Sequence, residues 1–188
     1  MRAKTTQVVQ DFSEGRINQR QFQVVYSHYQ RQRAAVEKAL IEMPGSGAWR
    51  AAAVEGHTSF LRQQHAAQVL SYAIYDTSSG LPLTHVGEFI VDDALLVPML
   101  STFRSSTQEL FGAGMKRIEL EGGRFLCYVP GRYTTLIAIF SAEPATMQLQ
   151  TIEDLHRDFE IVNHLNLASG NASKLALTFT HLWAFDED

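Results

Sequence analysis

At 188 residues the chain is long enough for one domain with a buried core, alone or with one appended element. Apolar residues make up 45% and charged residues 19%, a globular composition that excludes a disordered chain or a coiled-coil rod. Sixteen Lys+Arg against twenty Asp+Glu leave a net charge of -4, so no bulk positive charge favours nucleic acid or an anionic membrane as a partner.

The N-terminal region, rich in Gln and Arg, predicts a helical hairpin. Gln7 to Phe12 has short-helix spacing, and Gly15 can close it in the left-handed conformation. Asn18 reads as an N-cap, with Gln21 completing a capping box and Ile17 and Phe22 at the staple positions. The helix that follows runs to about Met43, with a heptad-like seam of Phe22, Val25, Tyr29, Val36, Ala39 and Met43 that Gln32 interrupts. That seam suits packing within its own domain, or pairing with another chain. Pro44-Gly45-Ser46-Gly47 ends the region. Ala48 to Glu55 has the spacing of a helical turn, Gly56 to Ser59 of a break, and Phe60 to Ala67 of a further short helix.

From Val69 the period changes. Val69 to Asp76 alternates, with Leu70, Tyr72 and Ile74 on one face and Val69, Ser71, Ala73 and Tyr75 on the other. Both faces are apolar enough for a central strand. Asp76-Thr77-Ser78-Ser79-Gly80 is turn chemistry, and Pro82 to Glu88 returns as an edge strand opened by a proline that cannot donate to the ladder. Asp92 and Asp93 cap a helix whose stripe is Leu96, Met99, Leu100, Phe103, Thr107, Leu110 and Phe111. Three strands follow, about Met115–Glu121, Arg124–Pro130 and Tyr133–Ser141. Gly122-Gly123 forms the first link, and the continuous apolar run Leu136 to Phe140 belongs at the sheet centre. Thr151 or a neighbour caps a last helix reaching about Leu167, with seam Ile152, Leu155, Phe159, Val162 and Leu165 or Asn166. Residues 169–188 are too apolar for a free arm and are expected to dock on the body or on a partner.

The order strand, strand, helix, three strands, helix predicts an α+β fold with a five-stranded antiparallel sheet of order 2-1-5-4-3. The predicted divisions are 1–47 (hairpin and linker), 48–168 (α+β domain) and 169–188 (tail). The stretch Val69 to Asp76, then Ser79-Gly80-Leu81-Pro82-Leu83-Thr84-His85-Val86-Gly87, resembles the opening hairpin of Roadblock/longin-like domains, the group that includes dynein light-chain subunits and bacterial activators of polarity GTPases. Leu110-Phe111-Gly112, Ile118-Glu119-Leu120-Glu121-Gly122 and the strand Thr135 to Phe140 also look like the family's consensus. The likeness spans about one hundred residues, Ala66 to Leu167, and rests on diffuse hydrophobic positions. It implies a homodimer with one continuous sheet, and a platform that in many members binds or regulates a small Ras-like GTPase.

No enzyme motif is present. There is no G-x-x-x-x-G-K-[ST] loop and no G-x-G-x-x-G, and Gly45-Ser46-Gly47 lacks nucleophile-elbow spacing. His57 and His65 are eight apart, as are His156 and His164. On a helix that is about 12 Å of rise, too far for one metal ion. Cys127 sits mid-strand between apolar neighbours, as a small hydrophobe would. Asp158 and Glu160 read as solvated charge, and Trp49 and Trp183 lie outside the sheet strands.

The expected role is therefore a non-enzymatic interaction protein without cofactor or metal. Its expected interface joins the edge strand, with Met115, Arg117, Ile118 and Glu119, to a small-residue helix face bearing Thr102, Ser105, Ser106 and Glu109. The alternative is a PAS- or GAF-type small-molecule sensor, which needs a ligand cavity between sheet and helices. The lone Cys127, the absence of a run near the roughly 20 apolar residues that span a bilayer, and the polar start Met1 to Gln7 point to the cytoplasm, with no membrane insertion.

Overall fold

The computed structural model describes residues 2–43, 45, 47, 50, 58–87, 115–173 and 175–179. It is an α+β fold with two compact units, Met1–Ala67 with Ala142–Gln148, and Gln68–Ser141 with Leu149–Asp188. The helix predicted from Asp92 to Phe111, the turn predicted at Ala48 to Glu55 apart from Arg50, and both tryptophans lie outside the described residues.

The first unit is helical. Helix α1 (Arg2–Ser13) ends where Gly15 turns to φ 72°, and α2 (Gln19–Glu42) starts on the predicted capping box. The Asn18 side chain accepts the Gln21 amide at 2.8 Å, and the Gln21 side chain accepts the Asn18 amide at 2.9 Å. Val8, Ile17, Val25 and Tyr29 form the core, with Phe22, Tyr26 and Leu61 against it. The seam of α2 is buried only as far as Tyr29; Leu40, Ile41 and Met43 are exposed. Helix α3 (Thr58–Gln64) starts at Thr58, inside the predicted break, and packs on α2 through polar ties. Asn18 Nδ2 donates to His65 O at 3.0 Å, Gln21 Nε2 to Arg62 O at 2.6 Å, and Tyr29 Oη meets Thr58 Oγ1 at 3.2 Å. Asp11 is buried and accepts from Gln7 Nε2, Arg16 Nη2 and Arg62 Nη1. Burial raises its pKa, but the hydrogen bonds and the Arg62 charge outweigh burial and leave the carboxyl below its ordinary range.

The second unit is the sheet: β1 (Val69–Asp76), β2 (Pro82–Val86), β3 (Lys116–Glu119), β4 (Phe125–Pro130) and β5 (Thr134–Phe140). All neighbours pair antiparallel, and the order is 2-1-5-4-3, as predicted. Every residue of β5 is buried, as its unbroken apolar run required of a central strand. The β3–β4 link turns on Gly122 and Gly123, at φ 79° and 74°, which a side chain would resist. One sheet face carries the core Ala73, Tyr75, Leu126, Tyr128 and Ile137, with Leu120 against it. On the other, Tyr72, Ile74, Leu136 and Ala138 face Ile152 and Phe159 of helix α4 (Thr146–Val162).

Three predicted details are corrected. Val69 pairs with Phe140 and Ser71 with the adjacent Ile139, so Leu70 is an extra residue, a β-bulge. The bulge moves Val69 to the face of Tyr72 and Ile74 and leaves Leu70 41% exposed. The last helix begins at Thr146, not Thr151, because its first amides are met by distant or unusual partners. Met147 donates to Gly15 O at 3.0 Å, and Gln148 Oε1 accepts the Ala145 amide at 2.9 Å. That helix also stops at Val162, and a short α5 (His164–Ala168) follows the break at Asn163. The break points Leu165, one of the two residues expected to close the seam, outward at 81% exposure, while the other, Asn166, is half-buried. Asn163 instead clasps the tail: Nδ2 donates to Thr178 O at 2.9 Å, and Oδ1 accepts the Thr178 amide at 2.7 Å. With Leu177 buried and Phe179 stacked on Phe159 at 5.4 Å, the described part of the tail docks on its own chain.

Candidate functional site

Among the described residues, strand β3 ends the sheet. Its one strand neighbour among the described residues is β4, in the register Lys116 with Tyr128, Arg117 with Cys127, Ile118 with Leu126 and Glu119 with Phe125. Leu126 and Tyr128 belong to the apolar core, so Ile118 and Lys116 extend the face of that core and are half-buried. Arg117 and Glu119 stand on the opposite face, exposed. Met115 precedes the strand and is half-buried. The strand is shorter than the sequence suggested: Leu120 leaves the ladder, and its amide closes the turn on Arg124 O at 2.7 Å. The other sheet edge, β2, opens on Pro82, which has no N–H to offer a partner. Thr102, Ser105, Ser106 and Glu109, the predicted helix half of the interface, lie outside the described residues.

A second group of polar side chains was not anticipated. Glu160, read from sequence as solvated charge, reaches from α4 to the β4–β5 turn. Its Oε2 accepts the Arg132 amide at 2.8 Å, and Oε1 accepts the amides of Tyr133 at 2.8 Å and Thr134 at 2.7 Å and the Thr134 hydroxyl at 2.8 Å. His156 Nε2 lies 2.9 Å from the same hydroxyl. Because that hydroxyl gives its proton to a carboxylate, it must accept from the imidazole, which fixes the Nε2–H tautomer. Thr134 is fully buried, out of reach of any substrate, so the cluster braces the turn. Burial pushes the His156 pKa down to about 4, against the opposing charge of Glu160. Gly131 leaves room for the brace, since a Cβ there would collide with Glu160 and His156.

Other chemistry is sparse among the described residues. Cys127 is buried and its thiol is pushed up to about 12 by burial, with Arg117 opposing, so it stays protonated. No group of His, Cys, Asp and Glu there could hold a metal ion. The cavity between sheet and α4 has a volume of only about 30 Å³ with almost wholly apolar walls. Ligand pockets run to roughly 300–1,000 Å³. A larger groove of about 1310 Å³ is open to solvent, between the Asp76–Leu83 hairpin, the braced turn and the segment 167–173. No helix among the described residues is long and apolar enough to cross a membrane.

The chain matches no protein-family model, and no curated protein is detectably similar to it. What defines the candidate site is therefore its place in the fold: a short, charged terminal strand on an otherwise apolar antiparallel sheet.

Proposed function

We infer that this chain is a non-enzymatic interaction protein that homodimerises through β3 and the neighbouring helix face proposed from the sequence. One observation carries the reading. Among the described residues the sheet terminates on β3, and the outer side of a terminal strand is a template for a further strand. Two copies joined there by a two-fold axis would make one continuous sheet. The resemblance of the Val69–Gly87 hairpin and the Ile118–Gly122 stretch to Roadblock/longin-like domains extends the proposal to a small Ras-like GTPase bound on that shared platform. The small cavity under α4 weighs against the sensor alternative.

Sedimentation velocity across micromolar concentrations tests the assembly. A dimer is expected, and a monomer throughout would overturn it. A panel of purified small Ras-like GTPases, loaded with GDP or a GTP analogue, tests the ligand. Co-sedimentation that depends on the nucleotide supports it, and no binding in either state by any member removes it.

A further inference from the structure

We propose that the second copy docks on β3 in a single register, with the two-fold axis passing through Ile118. The inference rests on the self-association proposed above and adds its geometry. Adjacent antiparallel strands related by a two-fold share the same up and down faces. The axis therefore stands perpendicular to the sheet, and each residue meets one whose side chain points to the same face. Since faces alternate along a strand, the axis must pass through a residue, never between two.

With the axis inside the strand or at its end residue Leu120, few choices remain, and charge selects among them. With the axis at Lys116, Arg117 or Glu119, that residue sits directly opposite its own copy, placing like charges against each other. With the axis at Leu120, Glu119 falls opposite Glu121 on both sides. With the axis at Ile118, Ile118 meets Ile118 on the core face, and Arg117 of each copy meets Glu119 of the other on the opposite face. Lys116 then lies across from Leu120, clear of any cation. The exposed pair Arg117 and Glu119 thus becomes self-complementary in one register alone, and the apolar face that Ile118 extends from Leu126 runs on into the second copy.

Cysteine placement on the full chain tests this directly. Residues opposite each other on paired strands have Cβ atoms about 4.5–5.5 Å apart, within reach of a disulfide after small adjustments. Under mild oxidation, Ile118→Cys is expected to give a covalent dimer. Arg117→Cys and Glu119→Cys should each stay monomeric on a non-reducing gel but cross-link when mixed. The buried Cys127 of the parent chain supplies the background control. Charge reversal gives a second readout. Arg117→Glu and Glu119→Arg should each weaken the homodimer about tenfold, and an equimolar mixture should recover the affinity as a heterodimer. A wild-type dimer whose Ile118→Cys form fails to cross-link, or whose Arg117→Cys form cross-links with itself, overturns the register while leaving self-association standing. A wild-type monomer overturns both.

Discussion

The helical unit and the sheet unit are held together by different means. In the helical unit the apolar core is small, and polar side chains make the long-range ties: Asn18 and Gln21 reach main-chain carbonyls of His65 and Arg62, and Asp11 gathers Gln7, Arg16 and Arg62. In the sheet unit the centre is almost wholly apolar, with β5 buried along its whole length, and polar ties sit at the rim, where Glu160 braces a turn and Asn163 clasps the tail. Directional bonds specify how the short helices meet, while area removed from water supplies the sheet's stability. A fully buried Ile, Leu or Phe contributes roughly 1.5–3 kcal/mol, against about 1 kcal/mol for a typical hydrogen bond.

The contrast can be broken from either side. The largest effect is expected at Phe140, fully buried on β5: Phe140→Ala should cost about 3–5 kcal/mol, read by denaturant unfolding followed through the β-sheet signal. Next comes the brace. Glu160→Ala strips the turn amides and the Thr134 hydroxyl of their acceptor and should cost about 2–3 kcal/mol, with faster hydrogen exchange at Tyr133 and Thr134. Asn18→Ala removes an N-cap and a tie to α3, a loss of about 1–2 kcal/mol; equal unfolding midpoints for this variant and the parent would refute the polar reading of the helical unit.

The smallest effect is that of pH. His156 holds its proton less tightly in the fold than the ordinary imidazole value of 6.5, with a folded pKa of about 4. The unfolded chain therefore takes up the proton first as pH falls. The stabilisation is fully present above about pH 6.5 and drains away toward pH 4. Between pH 7 and 6 the loss should be about 1 kcal/mol or less, and His156→Gln should flatten that slope in thermal melts taken across the same range.

How far each feature could be read in advance follows from how local its cause is. The capping box at Asn18 and Gln21 and the apolar run of β5 are each written within a few consecutive residues, and both stand as expected. Gly122 and Gly123 take the expected positive φ, but in a three-residue turn with Glu121, not the tight two-residue primed turn that their pairing suggested. Strand order followed, because hairpins and a crossing connection leave few arrangements open. The features that escaped are settled across long separations. Thr146 opens its helix because a carbonyl from Gly15 meets the first turn, Asn163 breaks it to hold Thr178, and Glu160 finds its amides nearly thirty residues back. No pattern near Glu160 distinguishes it from Asp158, which is exposed. Of the candidate interface, the strand half was legible from its alternation and its place after the crossing element. Its helix half falls outside the described residues.

Gly15 meets two unrelated demands at once. Its backbone lies at φ 72°, and a Cβ there would come within 2.6 Å of the Thr146 side chain. Either condition alone leaves a substitution some escape, since asparagine tolerates such a φ and a loose neighbour can yield; together they leave none. Diverged sequences of this fold should show the position frozen as glycine while the surrounding helix surface drifts.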